Sequence, residues 1–167
     1  MYGYSFLALQ SWIQALYDRA LGAALLYIVP YGYTATFSSL AQNASSSQQL
    51  GITANADFVL TGIKHRANIA AAQTVSTKTA PFARLLITDS GSNEQFTASA
   101  VDLENYSTNG VGDRLLPYPR WIAGRTSLTL ALTSYAPTAE TISVDIYLEG
   151  VLVRKYSSTP QAAASGG

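Results

Sequence analysis

His65 is the only histidine in the 167-residue chain, and Lys64 and Arg66 flank it. The side chain best suited to proton transfer or metal ligation near neutral pH thus sits between two cations that oppose a metal ion. There is no second histidine and no cysteine, so nothing completes a His-based or CxxC-type zinc site, and no thiol is present as a nucleophile. Asp89 with Glu94, and Asp102 with Glu104, are close enough in sequence to share a hard cation. Neither pair has the ligand spacing of a calcium loop, and turn capping is the expected role. Ser90-Gly91-Ser92 lacks the Gly-x-Ser-x-Gly pattern, and no strand-to-helix elbow follows it, which argues against a hydrolase. The residues predict no catalytic, metal or cofactor site, and hence a protein that is not an enzyme.

Composition directs attention to surfaces instead. Ten basic residues balance ten acidic ones, whereas binding to phosphate backbones needs a positive excess, so nucleic acid is not an expected partner, and neither is a membrane surface. Charged residues make up 12% of the chain, about half the usual share. With so little repulsive charge, permanent assembly suits the chain better than life as a crowded monomer. The length fits one domain with a terminal extension, able to bury roughly 70% of its unfolded surface.

The elements that must position these side chains begin with an apolar N-terminus. No Lys or Arg precedes Arg19, so the basic start of a secretory leader is missing. The uninterrupted apolar run Ala20 to Val29 is about half of the roughly 20 residues a membrane-spanning helix needs. Phe6, Leu9, Ile13, Leu16, Ala20, Ala23 and Tyr27 follow one another at steps of three and four, which predicts an amphipathic helix with these residues on one stripe. Two uses of the stripe stay open. It can pack on the chain's own β domain, or it can meet the same stripe on neighbouring subunits as an oligomer interface. Pro30 is expected to end the helix.

From Tyr31 the period changes to alternation, with Tyr31, Tyr33, Ala35 and Phe37 on one face and Thr34, Thr36 and Ser38 on the other. Gln42 to Gln49 reads as a polar turn, and Ala70 to Ala80 as a loop. Further strands are expected at Leu50 to Ala54, Phe58 to Ile69, Phe82 to Thr88 and Glu94 to Leu103, followed by a long loop from Glu104 to Arg114. Ser127 to Thr133 and Thr141 to Glu149 alternate cleanly and are expected to pair with each other, with a bulge at Gly150 where Val151 and Val153 switch parity. About eight strands after one helix predict a mainly β fold, an antiparallel β-sandwich with jelly-roll topology. The expected organisation is a helical extension over 1–29, a sandwich over 30–156, and a tail over 157–167 that orders only against a neighbour.

Several short motifs recur in this order: Tyr-x-Tyr-Thr-Ala-x-Phe at 31–37, Ala-Asp-Phe at 56–58, Ala-Asn-Ile-Ala at 67–70, Leu-Ile-Thr-Asp-Ser-Gly-Ser at 86–92, Leu-Pro-Tyr-Pro-Arg at 116–120, and the apolar stretch from Leu128 to Gly150. The chain from Tyr31 to Tyr156 resembles small β-sandwich virion proteins of tailed bacteriophages and prophage-like elements. Gly124-Arg125 stands where that family has Asn-Ser, and residues 1–29 form an extension outside the resemblance. The likeness implies a virion structural protein assembled in the bacterial host cytoplasm, foremost a capsid-associated minor or decoration protein. A neck or tail accessory, or a module binding a host-surface glycan through the 104–120 loops, is the alternative. The partners implied are other virion proteins, major capsid or neck and tail subunits, and further copies of the chain, a trimer before other numbers. Eleven tyrosines exceed what one small core needs. Tyr2, Tyr4, Tyr106, Tyr118 and Tyr135, with Trp121, are therefore candidate partner contacts, because aromatic rings offer large contact area at low entropic cost.

Overall fold

The computed structural model describes residues 6–21, 26–69, 82–106, 115–137 and 140–155. Helix α1 (Phe6–Leu21) precedes strands β1 (Leu26–Ala41), β2 (Ser45–Gly51), β3 (Asp57–Asn68), β4 (Ala83–Asp89), β5 (Glu94–Gln95) and β6 (Val101–Asp102). A one-turn helix α2 (Leu103–Tyr106) and strands β7 (Leu115–Ile122), β8 (Ser127–Ser134) and β9 (Thr141–Lys155) follow. The strands form two sheets, in the orders β1-β9-β3-β7 and β2-β8-β4-β5, with β6 also on β4.

The two short strands β5 and β6 pair with opposite ends of β4 along the edge away from β8, so they occupy a single position interrupted at Phe96–Ala100. Counted that way, the ladders β1–β9, β2–β8, β3–β7 and β4–β5/β6 are nested, like the rungs of one long hairpin rolled up on itself. The β3–β9 and β4–β8 ladders close the roll into two sheets. This is the expected jelly roll. The expected pairing of Ser127–Thr133 with Thr141–Glu149 does not form. Neighbours along one arm of the rolled hairpin lie in opposite sheets, and each pairs with the other arm.

The core between the sheets follows the alternation. Leu128, Leu130 and Leu132 on β8 face Ile142, Val144, Ile146 and Leu148 on β9, all buried together with Phe37, Phe58, Leu60, Leu85 and Ile87. Each such side chain contributes about 1.5–3 kcal/mol through burial.

The structure departs locally from the sequence expectation at four places. The helix ends at Leu21 and β1 begins at Leu26, so Tyr27 belongs to a strand and the boundary at residue 29 moves toward the N-terminus. Pro30 is inside β1 rather than at a helix end, which is tolerated because β1 is an edge strand whose outer N–H groups need no ladder partner. Gln42 to Gln49 contains most of β2, a strand that composition concealed because its side chains are largely solvent-exposed. The bulge expected on β9 at Gly150 lies on β3 instead, where the register slips between Leu60 and Gly62. Thr61 is the extra residue, and its hydroxyl donates to the Glu149 carbonyl at 3.1 Å. Val151 and Val153 keep the strand's parity and face outward, because α1 covers them there.

Gly150 is required by proximity: a Cβ there would lie 2.2 Å from the Val59 carbonyl oxygen and 2.8 Å from the Phe58 ring.

Candidate functional site

α1 lies on the outer face of the β1-β9-β3-β7 sheet. Leu9, Ile13 and Tyr17, spaced four apart, are buried in a cluster with Val59, Val151 and Val153, with Leu26 and Ile28 packed against it. Of the two uses left open for the stripe, the structure realises packing on the chain's own β domain. Leu9 and Ile13 are thereby removed from any contact with neighbours, and Tyr27 is on β1. Leu16 is half-buried beside Trp12, Ala15 and Arg19, around a shallow depression of about 390 Å³ on the helix flank. Phe6 and Ala20 lie within α1, whereas Ala23, Tyr2 and Tyr4 lie outside the described residues, as does the 157–167 tail.

The tyrosines expected at partner contacts divide. Tyr106 is buried at the end of α2, its hydroxyl 2.7 Å from Thr97 Oγ1, so it is a core residue. Burial raises its pKa above the ordinary tyrosine value. Tyr118 is 82% exposed on β7. Tyr135 is exposed with the Arg84 guanidinium 5.5 Å from its ring centre, and Trp121 is exposed along one edge while its ring contacts Tyr17 at 5.4 Å between centroids.

The residues weighed for chemistry take part in packing, turn and ion-pair contacts. The Thr61 bulge flips the parity of β3, so His65 faces the interior with Ile63 and Ala67, while Lys64 and Arg66 point the other way. Burial lowers the His65 pKa to about 4, which holds it neutral. Lys64 pairs instead with Glu149 at 2.7 Å on the outer face. Asp89 caps its turn as expected, accepting the Gly91 N–H at 2.9 Å and the Ser92 hydroxyl at 2.8 Å. Ser90 Oγ accepts the Ser127 N–H at 2.8 Å, which fixes the same turn to β8. Asp102 is paired with Arg84 at 3.1 Å. Among the described residues, no three His, Asp or Glu side chains converge as metal ligands.

One concavity gathers polar and aromatic groups. At the flank where β5 and β7 form adjacent sheet edges, Asp89, Ser92, Glu94, Phe96, Arg120 and Trp121 line a depression of about 270 Å³. The Arg120 guanidinium lies 4.3 Å from the Phe96 ring centre, which fixes one wall through a cation–π contact. Hydroxyl and carboxylate groups and a guanidinium can hydrogen-bond there and the Phe96 ring offers an apolar wall, as recognition of a hydroxyl-rich ligand requires, while the Trp121 ring lies on the other face of β7 against Tyr17. Trp121 was legible in the sequence as a candidate partner contact. Phe96 and Glu94 were not, because only the paired edges bring them beside β7.

No protein-family model, curated protein or solved structure matches the chain.

Proposed function

We propose that the chain is a structural protein of a bacteriophage virion, a capsid-associated minor or decoration protein that acts through contacts with other subunits. The observation that carries this reading is the strand order, a jelly roll of nested ladders, an architecture shared by viral capsid domains and lectins. Fold alone does not assign a function, and the chain's own motifs favour the first of these uses. Its near-neutral composition and the exposed rings of Tyr118 and Tyr135 suit a surface that is covered on assembly. Leu9 and Ile13 of the helix stripe are covered within the chain, so in this reading subunit contacts fall to the sheets, their edges and the exposed rings. Immunogold labelling of particles purified from the host cell tests the proposal. Labelled capsids are expected, labelled necks or tails would favour the accessory role, and particles without the protein would sink both.

A second reading rests on the depression at the β5–β7 flank. In it the protein binds a host-surface glycan, with Phe96 as the apolar wall and Glu94 and Arg120 as hydrogen-bonding groups. Glycan-array binding that disappears in Arg120→Ala would favour it over the capsid role.

A further inference from the structure

A sandwich has four sheet edges, and three of these carry features that block further strand addition. β1 contains Pro30 and a register slip between Phe37 and Leu40, with Ser39 at a φ of 55°. β7 contains Pro117 and Pro119. The position opposite them is broken into the two-residue strands β5 and β6. Prolines, bulges and short strands are the usual means of keeping an edge from pairing with another chain. The fourth edge, β2, has none of them. It runs seven residues, Ser-Ser-Ser-Gln-Gln-Leu-Gly, in unbroken register with β8, without proline or charge.

Its pairing groups are exposed in a regular order. Ser134 N–H donates to the Ala44 carbonyl and Ile52 N–H to the Thr126 carbonyl, at 2.9 and 2.8 Å, so the even-numbered residues between them face β8. The N–H and C=O groups of Ser45, Ser47, Gln49 and Gly51 therefore point away from the sheet. Two side chains of this edge lean back onto β8 instead of covering them: Ser45 Oγ lies 2.8 Å from Thr133 Oγ1, and Gln49 Nε2 donates to Ser127 Oγ at 2.8 Å.

We infer that β2 is a strand-pairing interface and that its occupant is β2 of a second copy, antiparallel across a two-fold axis. The strand is complementary to itself. A register centred on Gln48 pairs all seven residues, sets Ser47 opposite Gln49 of the partner and Ser45 opposite Gly51, and joins outward-facing groups to outward-facing groups. The absence of charge in β2 leaves nothing to select a different, oppositely charged strand, and the zero net charge of the chain removes the repulsion that would oppose self-association. Each sheet then continues into its partner's, and the contact is isologous. The inference does not rest on the virion reading.

Light scattering on the eluting full-length protein, from about 1 to 100 µM, tests it. A dimer is expected, and Ser47→Pro, which removes an outward N–H without touching the β8 ladder, should weaken it at least tenfold while leaving the circular dichroism of the folded chain unchanged. The native chain has no cysteine, so Gln48→Cys is a clean reporter. Two such residues face each other at a non-hydrogen-bonded position, about 4.5 Å between Cα atoms, within disulfide reach. It should cross-link at least tenfold faster than Gln95→Cys on the opposite edge. A monomer throughout the range, a dimer that survives Ser47→Pro, or equal cross-linking of the two cysteine variants would overturn the pairing.

Discussion

The Tyr17 hydroxyl of α1 donates a hydrogen bond to Asp57 Oδ2 at the start of β3, and the other oxygen of the same carboxylate accepts the Gly124 N–H at 2.7 Å. One side chain thus ties the helix to the sheet and to the turn between β7 and β8. Gly124 is suited to that turn, since a Cβ there would lie 2.6 Å from the Ala56 carbonyl oxygen, and Arg125 beside it adopts a φ of 65°. The N-terminal helix is fastened by both an apolar cluster and a buried polar contact.

Tyr17→Phe keeps the ring against Trp121 and removes only the hydroxyl, so a loss of about 2 kcal/mol is expected in urea unfolding, as for a hydrogen bond to a charged acceptor. Asp57→Ala should cost more, because it deprives both the Tyr17 hydroxyl and the Gly124 N–H of their acceptor. Equal stability of Tyr17→Phe and the native protein would show that the bond contributes nothing in solution.

Burial, then the hydrogen bond to Asp57 and its negative charge, raise the Tyr17 pKa above that of an ordinary tyrosine. Above about pH 10 the unfolded chain releases this proton and the folded chain keeps it, so the stability it contributes is complete below that pH and declines as the pH rises further. Alkaline unfolding curves should converge for the native protein and Tyr17→Phe. Parallel curves from pH 9 to 12 would contradict the assignment.

His65 carries the opposite dependence. With its pKa lowered to about 4 by burial, the unfolded chain takes up a proton as the pH falls below about 6.5 and the folded chain does not. The stability due to the neutral imidazole is present above 6.5 and diminishes by about 3 kcal/mol down to pH 4. His65→Leu should flatten that segment of the pH–stability curve, and an unchanged slope would place the acid sensitivity elsewhere.

Two glycines separate crowding from backbone freedom. Gly150→Ala drives a methyl group into the Val59 carbonyl and should cost about 3 kcal/mol, the upper end for overpacking. Gly51→Ala meets nothing within 4 Å and should be neutral or stabilise by about 0.5 kcal/mol. Thermal melts of the pair read the difference directly, and a tolerated Gly150→Ala would mean that β3 and β9 can move apart.

Arg84 is over half exposed, as is its partner Asp102, so Arg84→Ala should change stability by less than about 0.5 kcal/mol, and less still in high salt. A larger loss would show that stacking on Tyr135, not the ion pair, holds the β4 edge.

Where each segment had one wet and one dry face, its secondary structure was legible. Leu128, Leu130 and Leu132 declare a strand by alternation, and Leu9 and Ile13 declare a helix by their spacing. Ser45 to Gln49 misled because an edge strand with mostly exposed side chains has no apolar row to announce it. Tyr106 misled for the opposite reason. A residue at the start of a loop reads as surface, and its burial came from the approach of Thr97 and the core.

Local pattern by itself determined that this is a helix followed by alternating strands, that the strands hide aliphatic rows, and that Asp89 caps the turn after β4, since each depends only on residues close in sequence. Tertiary structure alone decided that β8 and β9 part into opposite sheets, that α1 folds back onto Val59, Val151 and Val153, that one extra residue at Thr61 turns His65 inward, and that β2 is, among the described residues, the sheet edge without proline, bulge or break. Those outcomes depend on which distant strand lies alongside, and side-chain periodicity identifies the face a residue occupies without identifying the neighbour that will cover it.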